Sequence, residues 1–269
     1  LEVRMTYTIG LAVSRYPQTE GWESTLAMVD EWCARAAEQG VELLVFPEYL
    51  MTRFEIDPQR FDAEAQPIDG PFVLGMGELA AKYGMWIAFT MNELNDAGGH
   101  PYNTAVIVDA EGQVRGSYRK THLFDASTDK ESNRIAAGDE LFAPIDTPFG
   151  KLVITICYDL RFPEVARKAA LAGCELFINM AGWVAGEGKL EQYAALVAGR
   201  AVENEMFACG VSRCDKGYVG QAIVVAPNGK ELGRTTEDEA LLTAIIDLDE
   251  MARMRAWIPV LNHRRPELY

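Results

Sequence analysis

The sequence contains an internal repeat, in which the same order of apolar and turn-forming segments occurs twice. This repeat limits the folds that the chain can adopt. Each pass has the pattern of strand, helix, strand, helix, strand and hairpin. The segment GVELLVFPE at 40–48 has its counterpart in GCELFINMA at 173–181. The hairpin AVIVDAEGQVRG at 105–116 likewise matches AIVVAPNGKELG at 222–233. Because the likeness extends to single residues, the pattern predicts two similar α/β halves.

The boundaries of the predicted elements follow from hydrophobic periodicity and from the positions of glycine and proline. In the first half the pattern predicts strands at 7–13, 41–48 and 85–93, helices at 22–39 and 71–84, and a hairpin at 105–118. In the second half it predicts strands at 152–157, 174–181 and 206–213, helices at 163–172 and 188–204, and a hairpin at 222–235. Gly40 and Gly173 each follow a helix, and Pro71 and Pro163 each begin one.

In each half the pattern predicts a sheet that is covered by helices on one face. The other face of each sheet needs an apolar partner, and the sheet of the other half is the nearest one. The predicted fold class is therefore α/β, a four-layer α-β-β-α sandwich of two pseudo-repeated halves, with 1–269 as a single domain. A TIM barrel is the main rival fold, but tandem hairpins fit it poorly. The segment 251–269, rich in Arg and containing Trp257, Pro259 and Pro266, is predicted to be an extended C-terminal arm that packs on a neighbouring subunit.

The composition argues against several classes of partner and location. A formal net charge of -15 disfavours a nucleic-acid partner, because such binding requires clustered Lys and Arg. The sequence shows no run of about 20 apolar residues that would span a membrane, and its first residues, LEVRMTYTIG, lack the pattern of a secretory signal. Five cysteines without CxxC spacing fit a reducing compartment, so we expect a cytoplasmic protein. Three scattered histidines argue against a His-built zinc site.

One cysteine stands where a buried strand gives way to a helix, within KLVITICYDLRFPE at 151–164. Apolar and β-branched residues lead to Cys157, and Pro163 suits the first turn of the helix that follows. Open α/β sheets place their chemistry at such strand ends. Cys157 is therefore a candidate nucleophile. The other cysteines lie in apolar segments and are predicted to fill the core: Cys33, Cys174, Cys209 and Cys214.

A nucleophilic thiol needs a base, a group that holds the oxyanion and a proton source for the leaving group. The usual base is histidine, and His122 is the candidate of that type. Glu48 and Lys120, both at predicted strand ends, are the alternatives. The repeat breaks at Glu48, whose counterpart in the second half is Ala181. A structural need shared by both halves therefore does not account for this carboxylate.

Three segments in this order, FPEYL at 46–50, YRKTHLFD at 118–125 and ICYDLRFPE at 156–164, resemble the three motifs of the nitrilase (carbon–nitrogen hydrolase) superfamily. RAVENEMF at 200–207 and the final segment RMRAWIPVLNHRRPELY are also similar to that family, so the resemblance spans nearly the whole chain. It implies a four-layer sandwich, in agreement with the fold predicted from the repeat.

The resemblance also implies roles for particular residues. Cys157 would attack the carbonyl or nitrile carbon, and Glu48 would accept the thiol proton and later activate water. Lys120 would stabilise the tetrahedral oxyanion together with the backbone N–H of Tyr158. Glu131 is the best match to a second glutamate that the family carries a short distance beyond the lysine.

The chain resembles most the small amidase branch of the superfamily, which includes ω-amidases. This resemblance implies hydrolysis of short aliphatic or ω-amides to the carboxylic acid and ammonia, with no metal or organic cofactor. Tyr49, Phe54 and Trp183 are expected in the walls of the substrate pocket. Apolar surface on the outer helices predicts a homodimer or larger homo-oligomer.

Other functions remain open at this stage. An N-carbamoyl amino acid amidohydrolase and a nitrilase share the same motifs, and a catalytically silent binding module on the same scaffold is an alternative from another class. Many relatives carry a His-Trp pair near the start of the 188–204 helix, where this chain has EQY at 191–193. Their substrate preference therefore does not transfer directly.

Overall fold

The computed structural model describes residues 5–17, 21–52, 58–126, 130–236 and 238–268. The strands in chain order are β1 (Thr6–Val13), β2 (Leu43–Val45), β3 (Trp86–Glu93), β4 (Tyr102–Val108), β5 (Val114–Arg119), β6 (Ile145–Thr147), β7 (Gly150–Ile156), β8 (Leu176–Ala181), β9 (Phe207–Ser212), β10 (Ala222–Val225), β11 (Glu231–Thr235) and β12 (Ala240–Asp247). The α-helices are α1 (Trp22–Glu38), α2 (Pro58–Ala63), α3 (Pro71–Tyr83), α4 (Pro163–Leu171), α5 (Lys189–Asn204) and α6 (Leu248–Trp257). Short 3-10 helices cover Glu131–Asn133, Cys157–Arg161 and Pro266–Leu268.

The described strands form two six-stranded sheets with corresponding orders, β12-β1-β2-β3-β4-β5 and β11-β10-β9-β8-β7-β6. In the first sheet β1, β2 and β3 are parallel, and the β4–β5 hairpin continues the sheet antiparallel. In the second sheet β7, β8 and β9 are parallel, and β10 and β11 continue it in the same way. The predicted α/β class of two pseudo-repeated halves is confirmed.

Alternating side chains of the strands build the four layers, because successive residues of a strand point to opposite faces. Ile9 and Leu11 of β1 pack in one buried cluster with Ile154 of β7, so this face of the first sheet meets the second sheet. Ala12 and Leu44 belong instead to the cluster formed with the apolar sides of α1 and α3. On the second sheet, α5 packs against β9 and β10, and α4 packs beside α5.

β12 departs from the division into two halves. It follows the second repeat in the chain, yet it pairs antiparallel with β1 from Thr6 opposite Asp247 to Val13 opposite Ala240. In the first sheet β12 holds the place that β6 holds beside β7 in the second sheet. The repeat pattern predicts neither strand. β6 is too short to show a periodicity, and the partner of β12 lies at the other end of the sequence.

The prediction of an extended arm over 251–269 is wrong for its first part, because α6 occupies it. Asp247 caps this helix by accepting a hydrogen bond from the backbone N–H of Asp249 at 3.0 Å. Leu248 and Met251 are buried and fix one side of the helix on the fold. The cap and the buried apolar face therefore stabilise a helix in a segment whose Arg and Pro content suggested an extended chain. The rest of the described tail consists of turns and the last 3-10 helix.

This topology places three candidate residues at neighbouring strand ends. β2 and β5 run in the same direction within the first sheet, with Glu48 shortly after β2 and Lys120 directly after β5. Cys157 comes directly after β7 in the second sheet. Since the two sheets pack face to face, residues from different halves can meet there.

None of the described helices is long and apolar enough to cross a membrane. Apolar side chains remain exposed on the outer helices, among them Leu171, Val202 and Trp257. The homodimer or larger assembly, the cytoplasmic location and the single domain over 1–269 stay predictions.

Candidate active site

A buried lysine lies between two carboxylates at these strand ends. The Nζ atom of Lys120 donates to Oε1 of Glu48 at 2.8 Å and to the two carboxylate oxygens of Glu131 at 2.8 and 2.9 Å. Lys120 is only 2% exposed, and both glutamates are buried as well. A buried charge is strongly unfavourable without a partner of opposite sign. The three groups therefore depend on one another, although they come from three separate segments.

Glu48 is oriented by donors from both halves of the molecule. Asn103, in β4, donates its Nδ2 to Oε1 at 2.8 Å, and the backbone N–H of Gly182 donates to Oε2 at 2.7 Å. A Cβ on Gly182 would lie 3.0 Å from the Tyr218 ring and 3.4 Å from Oε2 of Glu48. Glycine therefore allows this close approach, and both oxygens of the carboxylate have fixed partners.

Cys157 occupies a strained turn at the end of β7. Its φ of 43° lies in the left-handed region, which residues with a Cβ rarely adopt. Asp159 accepts a hydrogen bond from the backbone N–H of Ile156 at 2.9 Å, and Asn179 donates its Nδ2 to the Cys157 carbonyl at 3.4 Å. The sulfur lies 3.8 Å from the carbonyl oxygen of Gly182. The thiol is thus held beside the same residue whose N–H binds Glu48.

Glu131 is fixed by two further donors. The hydroxyl of Tyr49 donates to Oε1 at 2.6 Å, and the backbone N–H of Phe124 donates to Oε2 at 2.6 Å. Glu131 begins its 3-10 helix and is buried there. Together with Lys120, these contacts bring the irregular loop after β5 into the site.

The charges of the cluster set its protonation. Burial, opposed by Lys120 and reinforced by Glu48, raises the pKa of the Cys157 thiol well above its ordinary value. Burial alone would lower the pKa of the Lys120 ammonium, but the carboxylates of Glu131 and Glu48 raise it well above its ordinary value. Burial alone would raise the pKa of Glu131, but Lys120 and the bound N–H and O–H groups lower it. The resting site therefore holds a neutral thiol beside a charged lysine and a charged Glu131.

We expect the stability of the protein to fall in acid partly through Glu131. The folded state lowers the pKa of this carboxyl, so its contribution to the free energy of unfolding is complete above the unfolded-state pKa of about 4.3. That contribution is lost as the pH falls through the lower folded-state pKa. Urea unfolding at a series of pH values between about 3 and 7 measures it. The variant Glu131→Gln should show a shallower acid limb than the wild type, and identical slopes would contradict the expected coupling.

The carboxylates and Cys157 open onto a cavity of about 250 Å³. Phe124, Tyr158, Trp183 and Tyr218 supply aromatic walls, and Arg161 and Lys189 supply two further cations. Tyr49 also lies on the wall, whereas Phe54 lies outside the described residues. Within the described segments no group of His, Cys, Asp or Glu side chains has the arrangement of a metal site.

His122 and Arg161 are each held by contacts with side chains other than Lys120 and the two glutamates. The Nδ1 atom of His122 lies 2.7 Å from Oδ1 of Asp159, and its ring stacks on Phe162 at 3.9 Å. His122 therefore supports the turn that carries Cys157. Arg161 donates to Oε1 of Gln192 at 3.0 Å, and its guanidinium lies over the Trp183 ring at 4.7 Å.

Sequence reasoning missed two groups that hold Glu48. Asn103 is the second residue of β4 and lies ahead of its apolar run, and a polar side chain at this position is the signal that could have pointed to it. Gly182 acts through its backbone N–H, which leaves no mark in a side-chain pattern. Its position directly after β8 is the one clue available.

Both the sequence and the fold resemble those of known proteins. Residues 10–256 match the carbon–nitrogen hydrolase family model. The chain is 32% identical over 255 residues to deaminated glutathione amidase of Escherichia coli O157:H7, covering 95% of this chain and 97% of that protein. Its fold matches the crystal structure of the C. elegans NitFhit protein with a TM-score of 0.90 at 27% identity, over 100% of this chain and 67% of that chain. It also matches Saccharomyces cerevisiae Nit3, a member of branch 10 of the nitrilase superfamily, with a TM-score of 0.85 at 26% identity, over 98% of this chain and 100% of that one.

The paired sheets and these relatives define a hydrolytic enzyme of the amidase class. The chain belongs to the carbon–nitrogen hydrolase family, within the nitrilase superfamily. The predicted family and the predicted enzyme class are both confirmed.

Proposed function

We propose that this enzyme hydrolyses linear amides through a thioester on Cys157. In the first step Glu48 accepts the thiol proton while the sulfur attacks the amide carbon. Lys120 Nζ and the backbone N–H of Tyr158 stabilise the negative oxygen that forms. When the C–N bond breaks, Glu48 returns the proton to the leaving nitrogen, and ammonia departs from a primary amide.

The second step reverses these roles. Glu48 accepts a proton from water, and the resulting hydroxide attacks the thioester carbon. The C–S bond then breaks, the carboxylic acid leaves, and the proton returns to the sulfur. Glu131 takes part by holding Lys120 in its charged form and in place, since both of its oxygens accept hydrogen bonds from Nζ.

The observation that carries this proposal is the contact of one buried Nζ atom with both carboxylates, on the wall of a cavity that a partly buried thiol also lines. Because the pKa of Cys157 is raised, the thiol needs a base at the moment of attack. A carboxylate held by Lys120, Asn103 and Gly182 is positioned to accept that proton.

We further assign ω-amides, which carry a carboxylate at the far end, as the substrate class. Lys120 is engaged by the two glutamates, so a distal carboxylate needs another cation. Arg161 and Lys189 both line the cavity. Arg161 is already oriented by Gln192 and Trp183, which favours a fixed carboxylate site. The E. coli relative is named deaminated glutathione amidase.

Comparison of succinamate with butyramide tests this assignment, because the two amides differ in the distal carboxylate. In Arg161→Gln we expect the KM for succinamate to rise by about tenfold or more, since a hydrogen bond to a charged group is lost. The KM for butyramide should stay within about twofold. Initial rates of ammonia release give both constants.

Arg234→Gln is the matched control, because Arg234 is a partly exposed arginine of β11 that pairs with Glu231. It should leave both KM values unchanged. Equal losses with the two amides in Arg161→Gln would contradict the ω-amide assignment, and faster release from N-carbamoyl amino acids than from either amide would favour that alternative reaction.

A further inference from the structure

A buried ion pair lies behind the wall of the cavity, in the segment that follows β9. Arg213 is 2% exposed, and its Nε donates to Oδ2 of Asp215 at 2.9 Å. Its Nη1 atom donates in another direction, to the backbone carbonyl of Tyr49 at 3.0 Å. One guanidinium thus joins the second half of the molecule to the residue that follows Glu48.

The guanidinium is confined on its faces as well as its edges. Its carbon lies 3.7 Å from the centre of the Tyr16 ring and 5.4 Å from that of the Tyr218 ring. Asp215 accepts from both Nε and Nη2 of Arg213 through Oδ2, and its Oδ1 accepts from the backbone N–H of Tyr16 at 3.1 Å. The planar group is therefore fixed in position before it binds the Tyr49 carbonyl.

Arg213 is linked to the site through Tyr49. Its φ of 58° lies in the left-handed region, which is unfavourable for an aromatic residue and persists only where the surroundings enforce it. Its backbone follows Glu48 directly, and its hydroxyl donates to Oε1 of Glu131 at 2.6 Å. A change in the Tyr49 backbone would therefore move both carboxylates that bind Lys120.

We propose that Arg213 is a positioning residue, which sets the geometry of Glu48 and Glu131 by holding the Tyr49 carbonyl. It is not one of the described residues that line the cavity, so it acts without contact with the substrate. The inference rests on the proposed roles of the two glutamates. It extends the site from the strand ends to the 213–215 segment, which the motifs of the sequence do not include.

The variant Arg213→Lys tests this role. A lysine keeps the charge beside Asp215, but a single ammonium lacks the planar fork that reaches Asp215 and the Tyr49 carbonyl together. We expect kcat to fall by about tenfold to 100-fold, because small displacements of catalytic groups have effects of this size. The KM for succinamate should stay within about twofold, since Arg161, the proposed partner of its distal carboxylate, is held separately by Gln192 and Trp183.

A double-mutant cycle with Tyr49→Phe separates positioning from a general structural role. If Arg213 acts through Tyr49, the loss of kcat/KM in the double variant should be clearly smaller than the product of the two single losses. Losses that multiply would show that the Tyr49 hydroxyl does not relay the effect of Arg213 to Glu131, and they would overturn the proposed positioning of that carboxylate.

Arg255→Lys is the matched control. Arg255 lies in α6 and also donates to backbone carbonyls, those of Glu205 and Cys174, neither of which belongs to the site. It should retain wild-type kcat. If Arg213→Lys does not fold, as judged by near-UV circular dichroism, Asp215→Asn is measured in its place, and it should show the same fall in kcat with unchanged KM.

The two proposals fail in different ways. A wild-type enzyme that releases no ammonia from any amide would overturn the proposed function. An active wild type with wild-type kcat in folded Arg213→Lys would overturn the positioning role alone.

Discussion

Replacement of Cys157 by alanine is expected to lower amide hydrolysis by at least about 10⁴-fold, to the background rate, because the covalent route is lost. Within the described wall of the cavity, Cys157 carries the only thiol, and all of the side-chain hydroxyl groups belong to tyrosines. The described part of the wall therefore offers no second thiol or aliphatic hydroxyl to take over the attack. Ammonia release from a panel of amides, nitriles and carbamoyl compounds measures the loss.

Cys33→Ala is the control for this experiment. Cys33 is buried in α1 among the residues that cover the first sheet, so its loss should cost some stability and leave kcat unchanged. Intact-mass spectrometry adds a second readout, since a thioester adduct should accumulate on the wild type and be absent from Cys157→Ala. Activity retained by Cys157→Ala would contradict the proposed mechanism.

Replacement of Lys120 by methionine is expected to lower both turnover and stability. Loss of an oxyanion donor reduces kcat by about 100-fold to 1,000-fold. The free energy of unfolding should fall by about 3–5 kcal/mol, because two buried carboxylates lose their common cation. Steady-state kinetics and urea unfolding give the two quantities separately.

A compensating variant separates the two effects of Lys120. In Lys120→Met/Glu131→Gln one of the unpaired carboxylates is neutral, so part of the lost stability should return. The activity should not return, because the proposed oxyanion donor is still missing. Recovery of both quantities together would show that Lys120 serves the fold and has no part in turnover.

The repeat allows much of this architecture to be predicted, because each half buries its apolar strands in the same order. It also explains why Glu48 stands out, since the corresponding position is Ala181. The structure adds a relation that the alignment of halves does not contain: Gly182, next to Ala181, donates its backbone N–H to Glu48. The second repeat thus orients the carboxylate that the first repeat supplies and that we propose as the base.

The parts that sequence reasoning missed depend on long-range or backbone contacts. The helix α6 replaces a predicted arm because Leu248 and Met251 find a buried site on the fold, and no local pattern shows that site. Arg213 and Tyr49 are 164 positions apart in the chain, so their hydrogen bond exists only after the halves have met. Glu131 lies in an irregular loop, and the motif resemblance, more than any periodicity, indicated its place.

The pairing of β12 with β1 has a consequence for synthesis on the ribosome. Residues 6–13 are made well before their outer partner, 240–247, because most of both repeats lies between the two strands. Until then one edge of a hydrophobic sheet stays open in the nascent chain, and open edges invite pairing with other polypeptides. If the gene were divided between the two repeats, β1 and β12 would be made as parts of different fragments. The sheet of the first fragment would then be completed only when the second fragment binds to it.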